Sequence, residues 1–212
     1  MRGLLITFEG VEGSGKTTQA RLLVDHLRSR GMAVVFSREP GGTEVGERIR
    51  EILLDPELKG MHRLTELFLY LASRNQHTRE KILPALQKGE IVVVDRYADS
   101  SIAYQGYGRE LGERFVSRLN RLATAGLKPD LTILVDVPVP TGQGRKAGEK
   151  PDRLEQELGE FHERVRAGYL KLARRAAGRW KVVAGEQPAE KVMMEIRSVV
   201  EDFLIRKGVL KK

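Results

Sequence analysis

The chain has no cysteine, so neither a disulfide nor a thiolate metal site can be built from it. Its four histidines, His26, His62, His77 and His162, are scattered without metal-ligand spacing. No apolar run approaches the roughly 20 residues that a membrane helix needs. Strand-like residues begin at Leu4, so no signal peptide is expected. Internal repeats and low-complexity tracts are lacking. These absences argue against a secreted disulfide scaffold, a zinc module, a membrane span and a repeat array, and they suit a cytoplasmic protein. What remains is 212 residues, 41% hydrophobic and 31% charged, which is enough for one sizeable core in a single domain spanning residues 1–212.

The formal charge is +8. A nucleic-acid binder would carry that excess as a continuous patch. A small-molecule phosphotransferase also needs Lys and Arg, to surround several phosphate charges. Here many basic residues flank candidate site segments or share helices with glutamate, as between Glu160 and Arg175. The second reading is favoured, with neither nucleic acid nor membrane as a partner.

The strongest positive signal is Gly10-Val11-Glu12-Gly13-Ser14-Gly15-Lys16-Thr17, a match to G-x-x-x-x-G-K-[ST]. Its context agrees. Leu4–Phe8 reads as a buried strand, and Thr18–Arg28 as a helix with Ala20, Leu23, Val24 and Leu27 on one side. Strand, glycine-rich turn and helix make backbone N–H groups converge on an anion. Gly10 through Thr18 is therefore the expected ATP site. Lys16 reaches the β- and γ-phosphates and the Thr17 hydroxyl ligates Mg²⁺.

Further strands are expected at 33–36, 91–94, 131–135 and 181–183. Helices are expected at 45–54, 64–86, 113–125, 155–176 and 189–207. Strands alternating with helices, and apolar throughout, predict an α/β fold with a parallel sheet covered on both faces. Two irregular stretches, 38–43 and 138–152, fall at or beyond strand ends, where ligands of such sheets bind. The second is rich in Gly, Pro and Lys and is expected to be a mobile basic lid.

Asp95 ends the apolar run Ile91–Val94 and can hold the Mg²⁺ shell. Asp136 ends 131–135 in the same way, but only Asp95 is followed by Arg96-Tyr97-Ala98-Asp99-Ser100-Ser101-Ile102-Ala103-Tyr104-Gln105-Gly106. If that segment is helical, Arg96, Ser100 and Tyr104 share a face beside Ser101 and Gln105. Such a set suits a nucleotide better than a core.

These motifs resemble the signature of the thymidylate kinase family. Arg38-Glu39-Pro40-Gly41-Gly42-Thr43 and Asp152-Arg153-Leu154-Glu155 agree with it, as does Glu12 inside the phosphate loop. The resemblance runs in order from Phe8 to about Pro188. It implies a P-loop, nucleoside-monophosphate-kinase fold with a lid, the reaction ATP + dTMP to ADP + dTDP, and a homodimer. It further implies that Arg38 and Arg96 grip the acceptor phosphate, with Arg50 as a third contact and Glu39 and Pro40 beside them. Glu12 approaches the deoxyribose 3′-hydroxyl, Tyr70 stacks on thymine, and Arg74 bonds its exocyclic oxygen. Gln105 reads the pyrimidine edge, near Ser100 and Ser101, and Tyr104 crowds the sugar 2′ position. A core position is the rival reading for Tyr70, where the family more often has Phe. Because Gly13 replaces the basic residue that one family class places in the loop, the lid must supply the catalytic charge, as in the bacterial-type class. Arg145 and Arg153 are preferred to Lys146 for that task. The segment 184–188 resembles the adenine lining, and a plain strand–helix turn reads nearly as well there. A deoxynucleoside kinase is the runner-up, disfavoured because Arg38 and Arg96 imply an acceptor already carrying phosphate. A GTPase would show Asn-Lys-x-Asp, which does not occur.

Overall fold

The computed structural model describes residues 2–210. Five strands, β1 (Leu5–Glu9), β2 (Val34–Arg38), β3 (Ile91–Asp95), β4 (Leu131–Asp136) and β5 (Trp180–Ala184), form one sheet in the order β2-β3-β1-β4-β5. Every pairing is parallel. The central strands are apolar throughout because both faces are covered. β1 sends Ile6 and Phe8 to one face and Leu5 to the other. On the first face, α1 (Lys16–Ser29) and α9 (Ala189–Arg206) bring Leu23, Leu27, Ile196 and Val200 against the strands. The other face is covered by α3 (Arg63–His77), α4 (Leu83–Gln87), α6 (Glu113–Ala123) and α8 (Gly159–Arg175). The short α2 (Glu44–Leu54) packs on α3.

All five strands run one or more residues past their expected apolar ends. The additions at the carboxyl edge include Glu9, Arg38, Asp95 and Asp136. Arg38 lies in register with Asp95, and Asp95 with Phe8. β1 has its successor strands on opposite sides, so a crevice opens at this edge. Of these charged strand ends, Arg38 and Asp95 line that crevice.

Three expected elements are corrected. The helix expected at 64–86 is helical from Arg63 to Gln87, but a π-helical turn, Thr78–Ile82, interrupts it. Pro84 lies just beyond; it lacks an N–H and cannot continue a regular ladder. The helix expected from Glu155 begins at Gly159. The Asp152 carboxylate accepts from the N–H groups of Leu154 (2.8 Å) and Glu155 (3.0 Å), a local turn that competes with helix. Within the stretch expected to be irregular, Val139–Arg145 forms a short helix, α7, that opens after Pro138. It rests on the phosphate loop where glycine meets glycine. A Cβ on Gly13 (φ 68°) would lie 2.0 Å from the Gly142 carbonyl oxygen, so neither a side chain nor an ordinary φ fits there.

Candidate active site

The loop after β1 turns into α1 through Gly15 at φ 88°, and no side chain caps the helix. Its first N–H groups are left to an external anion. Lys16 is buried. Its Nζ donates to the Val11 carbonyl (3.2 Å) and sits 3.7 Å from the Glu12 carboxylate. Burial lowers the Lys16 pKa, and the Arg96 charge lowers it further. An incoming phosphate would relieve both effects. The Thr17 hydroxyl donates to Asp95, whose other carboxylate oxygen is buried without a partner. Arg145 reaches from α7 to the carbonyls of Gly13 (3.3 Å) and Gly185 (2.9 Å), which puts it beside the loop and the 184–188 turn.

Next to the loop is a cavity of about 460 Å³, large enough for a nucleotide. Lys16, Thr17, Asp95, Arg38, Glu39, Pro40 and Arg50 line it. Tyr70, Ser100, Ser101, Tyr104 and Gln105 complete its wall with Glu12 and Arg96. Glu47 holds Arg38 at 2.8 Å, and Arg50 donates to the Pro40 carbonyl at 3.0 Å. The Arg50 pKa is lowered by burial and then by Arg38, as for cations gathered without their anion.

Arg96 departs from ordinary backbone, with φ 67°. Such strain is worth roughly 1–3 kcal/mol and aims the side chain back across the crevice. Its guanidinium donates to the Gly10 carbonyl (2.9 Å) and to the hydroxyls of Tyr104 and Tyr169 (both 3.1 Å), and it pairs with Glu12. It also lies 5.0 Å from the centre of the Tyr104 ring. Burial would raise the Glu12 carboxyl, but Arg96, Lys16 and Lys146 outweigh it and hold the group well below the carboxylate range. A carboxylate inside an anion-binding loop is thus matched by three cations.

The segment after Asp95 is helical, though not uniformly. α5 (Ala98–Ser101) passes into a π-helical stretch, Ile102–Gly108. The wider turn carries Tyr104 and Gln105 to the cavity wall. Gln105 is buried, and its carbonyl oxygen has no partner.

Two expected residues stand elsewhere. Arg74 is 1% exposed and makes four hydrogen bonds, to Glu39, Ser101, Asn120 and the Tyr97 carbonyl, leaving one N–H on Nη2. Arg153 is folded inward on Glu66 (2.7 Å) and the Leu53 carbonyl (2.9 Å) and does not line the cavity. The basic residue of 138–152 that does line it is Lys146, bridged to Glu155 and Glu149. Of the two lid residues preferred from the sequence, Arg145 touches the phosphate loop and Arg153 pairs with Glu66, while Lys146 lines the cavity.

Glu9 and Tyr169 were not foreseen. Glu9 is buried in β1 and accepts from the Tyr97 N–H (2.9 Å), the Ser100 hydroxyl (2.5 Å) and the Tyr169 hydroxyl (3.0 Å). A carboxylate closing an apolar strand was the available signal for Glu9. Tyr169 lies on the apolar stripe of α8 and gave none.

A five-stranded parallel sheet, a phosphate loop at its carboxyl edge and a basic cavity beside that loop define a P-loop phosphotransferase of the nucleoside-monophosphate-kinase type. The family model described as thymidylate kinase matches residues 8–196. A thymidylate kinase of Desulfovibrio desulfuricans is 45% identical, with 97% of this chain and 98% of the relative covered. One of Caldanaerobacter subterraneus subsp. tengcongensis is 48% identical, covering 96% and 98%. The crystal structure of thymidylate kinase from Ehrlichia chaffeensis matches with a TM-score of 0.78 and 34% identity, over 94% of this chain and 99% of that one. The chain belongs to the thymidylate kinase family.

Proposed function

We infer that the protein phosphorylates dTMP to dTDP at the expense of ATP, and that the cavity is its acceptor site. The reading is carried by Arg38, Arg50 and Arg96 lining the same cavity as Lys16 of the phosphate loop. Three cations gathered in a cavity beside the donor loop suit an acceptor that already bears phosphate. An acceptor phosphate oxygen attacks the γ-phosphorus of ATP, the bond to the bridging oxygen breaks, and ADP leaves. Positioning and charge neutralisation do most of the work in such a transfer. In a coupled assay for ADP, dTMP should support turnover and thymidine should be at least about 10³-fold poorer. Preference for the nucleoside would refute the acceptor site.

The donor set fits a magnesium ion: a hydroxyl, Thr17, against a carboxylate, Asp95, with one buried oxygen free. Bound there with ATP, Mg²⁺ neutralises phosphate charge. Thr17 and Asp95 would hold it, and Lys16 and the N–H groups of α1 would hold the phosphates. Tyr70 faces the base, Gln105 its edge and Tyr104 the sugar. Residues 138–152 act as a lid over a single domain.

For the lid cation we favour Lys146 over Arg145 and Arg153. It alone of the three lines the cavity together with Glu12 and Lys16. Lys146→Met should lower kcat about tenfold or more while dTMP affinity changes little. Rapid-quench turnover together with calorimetric dTMP binding reads the two effects separately, and a pure affinity loss would count against this assignment.

Phe68 on α3 and Phe115 and Leu122 on α6 are exposed on neighbouring helices, which supports a homodimer through that face. The lack of cysteine suits a cytoplasmic setting.

A further inference from the structure

The helix α2 carries Arg50 to the cavity and stops at Leu54 with no basic residue in its last turn. The final carbonyls of a helix need donors from elsewhere, and a cation placed there also meets the negative end of the helix dipole. Arg153 supplies both from 100 positions along the chain. Its Nε donates to the Leu53 carbonyl (2.9 Å) and its backbone N–H to the Leu54 carbonyl (3.3 Å). Its Nη1 donates to Glu66 of α3 (2.7 Å), a buried carboxylate that also accepts from Arg109 Nη2 (2.9 Å) and Nε (3.2 Å). Burial would raise the Glu66 carboxyl, but Arg109, the Gln105 amide and the charge of Arg153 outweigh it and hold the group below the usual carboxylate range. The Arg153 guanidinium is thus buried between an ionised carboxylate and a helix end.

Leu54 lies one helical turn beyond Arg50, and both line the cavity. Asp152, Leu154 and Glu155, which flank Arg153, line it too, and Glu155 pairs with Lys146 of the lid. One side chain therefore ties the root of the lid to the turn of α2 that carries Arg50. We propose that Arg153 is a positioning residue for the acceptor phosphate: by capping the C-terminal turn of α2 it holds Arg50 at the cavity and fixes that turn to the root of the lid. Arg50 has one other tether, the Pro40 carbonyl at 3.0 Å. Without Arg153, the Leu53 and Leu54 carbonyls lose their donors, the last turn of α2 loosens, and Arg50 loses its aim. Arg153 acts through Arg50, since it does not itself line the cavity. The inference rests on the cavity being the acceptor site.

The test compares dTMP with thymidine, which has no phosphate for Arg50, by calorimetric binding to the full chain. Arg153→Met should weaken dTMP by at least about tenfold, the worth of one charge-assisted hydrogen bond to phosphate, and thymidine by less than about twofold. Turnover at saturating dTMP should stay within about threefold of native, because the transferring phosphate is not what Arg153 touches. Placed on Arg50→Met, Arg153→Met should weaken dTMP by less than about a further twofold, since its effect runs through Arg50. Glu66 keeps Arg109 in the single variant, so the fold should hold, and thermal melts check it. Should it fail, Arg153→Met/Glu66→Gln removes the cation with its counter-charge and serves the same comparison. A general weakening of the wall would lower both affinities equally, and an unmoved ratio overturns the proposal. Full additivity with Arg50→Met overturns it as well, as does a fall in kcat with dTMP affinity retained. A native protein that binds no dTMP would overturn the acceptor reading and this inference with it. Native binding with an unmoved ratio overturns this inference alone.

Discussion

Arg96→Ala is expected to lower kcat/KM for dTMP by about 10²–10⁴ while the protein stays folded. Two charge-assisted hydrogen bonds to an acceptor phosphate, at about 1.5–3 kcal/mol each, account for that range. The loss should be at the upper end because the same guanidinium pairs with Glu12. Without it, an ionised carboxylate is left in the path of two anionic substrates. Folding should survive because the strained φ of 67° burdens alanine as it does arginine. Arg96→Lys should recover little, since a point charge cannot reach the Gly10 carbonyl, Glu12 and the hydroxyls of Tyr104 and Tyr169 together. Steady-state kinetics with a thermal melt on each variant check this. Near-native turnover in a folded Arg96→Ala protein would dismiss the acceptor site as drawn.

A second large effect concerns stability. Burial raises the Glu9 carboxyl from 4.5 to about 7, with Asp99 adding to the rise, while Ser100, Arg96 and the Tyr97 N–H oppose it. In the folded state Glu9 holds its proton more tightly than when unfolded. Its contribution to stability is complete below pH 4.5 and disappears as pH climbs through 7. Glu9→Gln removes the titration and keeps the shape. Its amide oxygen can accept from the Tyr97 N–H, and its NH₂ can donate to the hydroxyls of Ser100 or Tyr169. Near pH 4.5 the variant and the native protein should melt together. Above pH 8 the variant should be more stable by on the order of 3 kcal/mol, roughly 5–10 °C in a chain of this size. Melts across pH 4.5–8.5 provide the comparison, and a difference that does not vary with pH would show that Glu9 is not held protonated.

The chain's local patterns announced much of this architecture. Gly10–Thr17 predicts its own structure, because a strand, a glycine turn and an uncapped helix leave few other conformations. The apolar strands and the periodic helices report burial directly, so the parallel sheet and its carboxyl-edge crevice could be read in advance. The family resemblance implied a common site for Arg38, Arg50 and Arg96, and the three line one cavity. That the cavity gathers them follows from β2 and β3 lying side by side, which no local pattern states.

Other residues depended on partners far along the chain. Glu9 meets Tyr169 across 160 positions, and Arg153 meets Glu66 across 87. A buried charge is tolerated only where opposite charge or hydrogen-bond donors converge on it, and convergence is a property of the assembled elements. For the same reason a preference for Arg145 and Arg153 over Lys146 could not anticipate that Arg153 pairs with Glu66 and that Lys146 lines the cavity. Sequence by itself determined which chemistry the crevice could host, because loop and strand signatures are local. Tertiary structure alone decided which cations line the cavity and which only brace its wall, because side-chain direction depends on what each charge finds to pair with.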